Sequence, residues 1–230
     1  MKPYYDDEQA GITIYHGDCR EVLARVPLRC DCIVTDPPYG MGRVTGDGKD
    51  YLQVVGPALR TAWSRCETPG SMFVFASTGE VVSLANAVRA SDFKRLLWMY
   101  KPADCTFPLA GWLLKSEAIL WFHKGDRIGL EERTPYSHDC YVHRRVGHEG
   151  VEGHPTVKPL WVTADIVSRC PVGGAVLDPF MGSGTTLVAA KMHGRRAIGI
   201  EIEEAHCALA VDRLEPTVKA QRTRQEVMLI

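Results

Sequence analysis

The sequence lacks long apolar runs and carries almost no net charge. No apolar stretch approaches the roughly 20 residues that span a membrane, and the N-terminal "MKPYYDDEQAG" has no apolar core like that of a secretory signal. A formal net charge of −1 excludes a general basic surplus, so a nucleic-acid partner would need a local basic patch. We therefore expect a cytoplasmic protein without a membrane partner.

Paired cysteine motifs are also absent. The eight cysteines are scattered and form no C-x-x-C pair, so we expect reduced and mostly buried thiols. The stretch "SHDCYVHRR" contains His138, Cys140 and His143, but their spacing fits no common zinc pattern and a fourth ligand is lacking. The sequence therefore predicts no metal site.

The composition that is present favours a globular α/β protein. The 230 residues, 45% hydrophobic and 24% charged, suffice for one domain with a substantial core. Strand-like segments are mostly followed by helical ones, which predicts a doubly wound, mostly parallel, seven-stranded sheet. The strand-like segments at residues 94–101 and 117–124 have no clear helix between them, which predicts one antiparallel strand at an edge. The seven segments are residues 11–18, 30–36, 71–77, 94–101, 117–124, 174–180 and 196–202.

Two segments differ from the rest of this single domain, residues 1–230. Residues 124–153 are rich in Gly, His, Arg and Tyr without clean periodicity, and so long an irregular stretch is usually functional or mobile. The polar residues 216–230 predict a loosely held tail.

The stretch "IVTDPPYG", residues 33–40, carries side chains that suit catalysis better than packing. Asp36 lies where a strand ends, and the carboxyl ends of parallel strands line the ligand crevice. Pro37 and Pro38 remove two backbone donors and stiffen the turn, while Tyr39 adds a flat aromatic face. Such a turn suits a flat target whose NH₂ group donates to a carboxylate and a carbonyl. The alternative is an ordinary turn in which Tyr39 only packs.

An exocyclic base amine is a target of this kind. Its lone pair is delocalised into the ring, which makes the nitrogen a poor nucleophile. Two acceptors bias the nitrogen toward sp³ geometry and free the lone pair for attack, and Asp36 can receive the proton at or after transfer.

A second stretch, "AVLDPFMGSGTTLVAAK", predicts a strand, a glycine loop and a helix. No lysine follows Gly184, which argues against a P-loop, and no third glycine completes a dinucleotide fingerprint. Asp178 at the strand end would repel a pyrophosphate and attract an ammonium or sulfonium. Glu201 ends the next strand, where an acidic side chain commonly binds ribose hydroxyls. These residues fit S-adenosylmethionine (SAM) better than NAD.

Four motifs in this order resemble those of DNA amino-methyltransferases. "DPPY" resembles the catalytic motif of that family and "LDPFMGSGTT" resembles its cofactor loop. "HPTVKP", residues 154–159, resembles the segment before that loop, and "YHGD" resembles the stretch before the catalytic strand. The catalytic motif precedes the cofactor loop, as in the permuted beta-type arrangement. The resemblance covers about residues 12–212.

The resemblance implies a role for each matching residue. Asp36, Pro37, Pro38 and Tyr39 would hold the target base, and Asp18 would lie by the adenine of the cofactor. Glu201 would hold the ribose. Thr156 and Lys158 would approach the methionine carboxylate, although Lys158 could also be a surface lysine and Asp18 a helix cap. The methionine part would be wrapped by Asp178, Phe180, Gly182, Ser183, Gly184 and Thr185.

The resemblance also implies the substrate. "DPPY" resembles the adenine-modifying branch, so we expect methylation of the N6 amine of adenine in DNA after base flipping. Residues 124–153 would recognise the target sequence, and a homodimer could add contact area. The candidate phosphate contacts are Arg43, Lys49, His143, Arg144 and Arg145. The alternatives are N4-cytosine or RNA methylation, and a catalytically silent module that binds nucleic acid.

Overall fold

The computed structural model describes residues 1–38, 51–102, 108–109, 112–126, 138–143 and 157–215. In these ranges strands and helices mostly alternate in the first and last thirds of the chain, and strands follow one another between α3 and α4. The helices are α1 Cys19–Arg25, α2 Tyr51–Arg65, α3 Val81–Val88, α4 Leu160–Ser168, α5 Thr185–Met192 and α6 Glu204–Leu214. The strands are β1 Tyr5–Asp7, β2 Ile12–His16, β3 Cys30–Thr35, β4 Cys66–Ala76, β5 Phe93–Tyr100, β6 Pro108–Leu109, β7 Trp112–Leu113, β8 Ser116–Lys124, β9 Cys140–Val142, β10 Ala175–Asp178 and β11 Arg196–Glu201.

One sheet holds most of the described strands, in the order β1-β2-β11-β10-β3-β4-β8-β5-β9, and β6 with β7 forms a separate hairpin. Strands β2, β11, β10, β3 and β4 run parallel to one another. The late strands β10 and β11 therefore lie between the early strands β2 and β3. The carboxyl ends of all five meet at one edge, where ligands bind in open parallel sheets.

The α/β architecture is as predicted, but the details of the sheet differ. The described sheet has nine strands instead of seven, because β1 and β9 extend its two edges. Strand β8 is antiparallel to both β4 and β5, as the helix-free connection implied. It lies inside the sheet, however, so the prediction of an antiparallel strand at the edge is wrong for β8. The edge strand that runs antiparallel is β1, which pairs with β2.

The sheet separates two apolar clusters, one on each face. Alternate residues of β3 point into different clusters, with Cys32 and Val34 on one side and Ile33 on the other. Helices α4, α5 and α6 pack on the first face, and α1, α2 and α3 pack on the second. This layering fixes the carboxyl ends of the strands from both sides, which positions the side chains described next.

Candidate active site

The turn after β3 and the loop after β10 lie side by side. Strands β3 and β10 are parallel neighbours, with Ile33 opposite Leu177. The Thr35 hydroxyl donates a 2.7 Å hydrogen bond to Asp178 Oδ1, across 143 residues of sequence. Asp36 follows Thr35 directly, so the two candidate carboxylates belong to one corner of the molecule.

Asp178 is held inside this corner, with 3% of its surface exposed. Its Oδ1 also accepts a 3.1 Å hydrogen bond from the Phe180 N–H. Burial raises the pKa of Asp178 to about 7, and the nearby charge of Asp36 acts in the same direction, although the hydrogen bonds oppose it. A cation that entered the corner would favour the ionised form of Asp178.

The glycine loop after Asp178 is shaped by its own turn and by α6. Gly184 has φ +77°, and a Cβ atom there would lie 2.7 Å from the Ala210 Cβ, so glycine is required. Arg213 Nη1 donates to the Ser183 carbonyl at 2.7 Å, the Ser183 hydroxyl at 2.9 Å and the Thr185 hydroxyl at 3.1 Å. These bonds fix the loop from the side of α6.

Glu201 has a fixed orientation at the end of β11. Its Oε2 accepts a 2.8 Å hydrogen bond from the Gly182 N–H, and its Oε1 accepts one of 2.9 Å from the Glu203 N–H. Burial would raise the pKa of Glu201, but hydrogen bonds from His206 and these N–H groups outweigh burial and lower it. Carboxylate oxygens accept more than one hydrogen bond, so an ionised Glu201 retains capacity for ribose hydroxyls.

Asp18 lies beside Glu201 but has a structural role as well. The Gly17 N–H donates to the Glu201 carbonyl at 2.8 Å, which places the end of β2 against the end of β11. The Asp18 side chain caps α1 through the Arg20 N–H at 2.8 Å and pairs with the Arg20 guanidinium at 2.5 Å. The helix-cap alternative is therefore observed, at a position that also borders the candidate cofactor crevice.

Lys158 lies beside two carboxylates. Its Nζ lies 2.8 Å from Asp36 Oδ2 and 3.4 Å from Glu117 Oε2. Burial alone would lower the pKa of Lys158, but the two carboxylates outweigh burial and raise it. The structure thus places Lys158 at the corner that holds Asp36, and its contact with the cofactor carboxylate stays a prediction.

The chain was compared with models of known protein families. A family model described as "DNA methylase" matches residues 30–212, which is most of the chain. The chain belongs to this family.

Known methyltransferases are similar over nearly the whole chain. The Type II methyltransferase M2.DpnII of Streptococcus pneumoniae is 26% identical over 253 residues, covering 93% of this chain and 92% of that protein. The DNA adenine methyltransferase YhdJ of Escherichia coli (strain K12) is 27% identical over 249 residues, covering 88% and 82%. The solved M1.HpyAVI–SAM complex has a TM-score of 0.71 at 25% identity, covering 89% of this chain and 100% of that one. The predicted family and fold class are confirmed.

Most of the candidate DNA contacts of this methylase lie outside the described residues, namely Arg43, Lys49, Arg144 and Arg145. Tyr39 and Thr156 also lie outside them. His143 is described and does not suit the role, because only 4% of its surface is exposed. Its Nδ1 lies 3.3 Å from the Trp161 Nε1, which donates to it, and the two rings stack. In this position, packing in the fold keeps His143 away from a phosphate backbone.

The described residues contain no group of three or more His, Cys, Asp or Glu side chains that could hold a metal ion.

Six of the seven described cysteines are buried, as predicted, and Cys140 is exposed.

Sequence reasoning missed Thr35, Glu117 and Arg213. A signal existed for two of them, since Thr35 and Glu117 are polar residues within or at the start of apolar strands. Arg213 gave no signal, because only the packing of α6 against the cofactor loop reveals its partners.

Proposed function

We propose that the chain transfers a methyl group from SAM to the N6 amine of adenine in DNA. The observation that carries this proposal is the adjacency of Asp36 and the cofactor loop, joined through the Thr35–Asp178 hydrogen bond. The prediction of a DNA methyltransferase that uses SAM is confirmed by the family match and by the SAM complex of a 25% identical relative. The choice of adenine is supported by the name of YhdJ.

The residues at the strand ends fit SAM. A buried carboxylate with a raised pKa, Asp178, suits the ammonium of the methionine part. Glu201 is ionised and oriented, as an acceptor for ribose hydroxyls should be. The bound cofactor supplies an electrophilic methyl carbon on a sulfonium. The loop from Phe180 to Thr185 would enclose the methionine part, and Asp18 would border the adenine.

The turn at Asp36 would hold the target base. Asp36 accepts a hydrogen bond from the base amine, which leaves the nitrogen lone pair directed away from the ring plane and toward the methyl group. Pro37 and Pro38 keep the turn stiff, and Tyr39 stacks on the base, at about 1–3 kcal/mol per base. This stacking partly offsets the few kcal/mol that base flipping costs. Asp36 then takes the proton that the amine loses.

Mass spectrometry of nucleosides tests the proposal. Purified protein is incubated with DNA or RNA and isotopically labelled SAM, and the digested nucleosides are analysed. We expect labelled N6-methyladenine from DNA. Labelled N4-methylcytosine alone would overturn the choice of adenine. Label found only in RNA nucleosides would overturn the choice of DNA. If neither polymer became labelled, the protein would be a module that binds nucleic acid without methylating it.

The variant Asp36→Ala serves as the matched control in this assay. Because Asp36 contacts the amine rather than the cofactor in this account, the variant should bind SAM with similar affinity and transfer no methyl group. Transfer at the normal rate would show that Asp36 does not activate the amine.

The remaining predictions concern assembly and location. Homodimerisation and a cytoplasmic location, in a bacterium or a phage-infected cell, stay predictions. None of the described helices is long and apolar enough to cross a membrane. The assignment of residues 124–153 to target recognition is also a proposal, and their described part includes the edge strand β9.

A further inference from the structure

Four side chains of alternating charge connect the catalytic corner to the far half of the sheet. Lys101 follows β5, Glu117 lies near the start of β8, Lys158 precedes α4, and Asp36 follows β3. Lys101 Nζ donates to Glu117 Oε1, Glu117 Oε2 lies 3.4 Å from Lys158 Nζ, and that ammonium lies 2.8 Å from Asp36 Oδ2. We call these four residues the charge chain.

The Lys158 ammonium is enclosed. Only 11% of its side chain is exposed, and Nζ lies 5.7 Å from the centre of the Phe75 ring on β4. A lysine has a flexible four-carbon stem, so a single ion pair does not fix its position. Glu117 supplies a second carboxylate beside the same ammonium.

Glu117 is suited to this task because it is ionised in a sheltered place. Its side chain is 20% exposed, and its Oε2 is fully buried. Burial would raise the pKa of Glu117, but Lys158 and Lys101 outweigh burial and lower it. Ion pairs with so little exposure are weakly screened by salt, so the two lysines hold the carboxylate firmly.

The geometry points to Glu117 as a positioning residue for methyl transfer. Through Lys158, Glu117 fixes the rotation of the Asp36 carboxylate and thereby the direction in which it accepts the hydrogen bond of the base amine. Glu117 itself touches neither the base nor the cofactor in this account. The inference rests on the proposed function, because it assigns Glu117 to the reaction of that same site.

The variant Glu117→Gln tests this role, since it removes the charge and nearly preserves the shape. We expect kcat for DNA methylation to fall about 10- to 100-fold, because a displacement of 1 Å at a reacting group can cost about 100-fold. SAM affinity and KM for DNA should change little, whereas the melting temperature should fall because two sheltered lysines lose their shared carboxylate. The matched control is Glu67→Gln, at the opposite end of the sheet in an exposed ion pair with Arg29, and it should keep the wild-type kcat.

Two further variants separate positioning from a structural role. Glu117→Asp keeps the charge and should recover part of the lost kcat. If Glu117 acts through Lys158, the double variant with Glu117→Gln and Lys158→Met should have the same kcat for DNA methylation as Lys158→Met alone.

Several outcomes would overturn the inference. These are a wild-type kcat in Glu117→Gln, a loss of SAM affinity as large as the loss of kcat, or additive effects in the double variant. A wild-type protein that methylates no DNA would instead refute the proposed function, and the role of Glu117 with it.

Discussion

At the scale of single residues, the site depends on carboxylates kept in different charge states by their surroundings. Glu201 accepts hydrogen bonds from backbone N–H groups, which lowers its pKa despite burial. Asp178 is more enclosed and has Asp36 beside it, so its pKa is raised to about 7. One carboxylate is therefore ready to accept ribose hydroxyls, while the other becomes ionised most readily when a cation arrives.

The raised pKa of Asp178 predicts how SAM affinity depends on pH. The folded protein holds this pKa at about 7, above the ordinary value of 3.8. In the proposed function, the cofactor ammonium would pair with the ionised form. Affinity should thus be full above pH 7 and weaken as pH falls, by up to about tenfold per pH unit. Calorimetry at pH 8 and pH 6 measures this change.

Asp178→Asn provides the control for this titration. The amide keeps an oxygen for the Thr35 hydroxyl and the Phe180 N–H but has no charge to lose. The variant should bind SAM more weakly at pH 8 and show little dependence on pH. An equally steep dependence in the variant would assign the titration to another group.

At the scale of elements, the glycine loop depends on α6 as much as on its own residues. Gly184 immediately precedes α5 in a left-handed conformation against Ala210, and Arg213 binds the loop from the end of α6. The loop can therefore keep its shape only while α6 stays packed on it.

The variant Gly184→Ala tests this dependence. An alanine in the left-handed region costs about 1–2 kcal/mol, and its Cβ would overlap Ala210 at 2.7 Å. Urea denaturation should show a larger loss of stability than that, and calorimetry should show weaker SAM binding because the loop must shift.

Gly173 offers a matched control for the backbone strain. It has φ +71°, but a Cβ there meets nothing within 4 Å. Gly173→Ala should thus lose stability through strain alone and keep its SAM affinity. Equal losses in the two variants, with SAM affinity intact in both, would contradict the role assigned to α6.

Most elements could be predicted from the sequence because their apolar periods are clear. Residues 30–36 were predicted as a strand and appear as β3, and the strand, loop and helix around Asp178 appear as β10 and α5. Strands β1 and β9 have only three residues each, too few for a period to emerge. The place of β8 inside the sheet is set by pairing with β4 and β5, which no local pattern encodes.

At the scale of the whole molecule, the site requires both ends of the chain. The Ala197 N–H donates to the Gly11 carbonyl at 2.9 Å, and Lys191 pairs with Asp7 at 3.2 Å, so late elements complete the sheet that early strands begin. The turn at Asp36 comes from the early part of the chain and the glycine loop after Asp178 from the late part. Their meeting is a property of the topology and not of either segment.

The candidate site was predictable as far as motifs extend. Asp36 follows β3, and Asp178 and Glu201 are the last residues of β10 and β11. Each belongs to a recognisable motif, so their common edge could be predicted from the parallel sheet. The partners of Lys158 could not, because Asp36 follows β3 and Glu117 lies in β8, and the two meet Lys158 only through side-chain packing. The buried state of His143 likewise depends on Trp161, on a helix that begins after the irregular segment.

The meeting of base and cofactor at Asp36 can be observed in a crystal structure of the protein with S-adenosylhomocysteine and a DNA duplex. We expect an adenine turned out of the duplex, with its N6 amine on Asp36 and facing the cofactor sulfur, and with the cofactor amino group at Asp178. A cofactor bound away from Asp178, or an adenine bound away from Asp36, would refute the proposed function of this site.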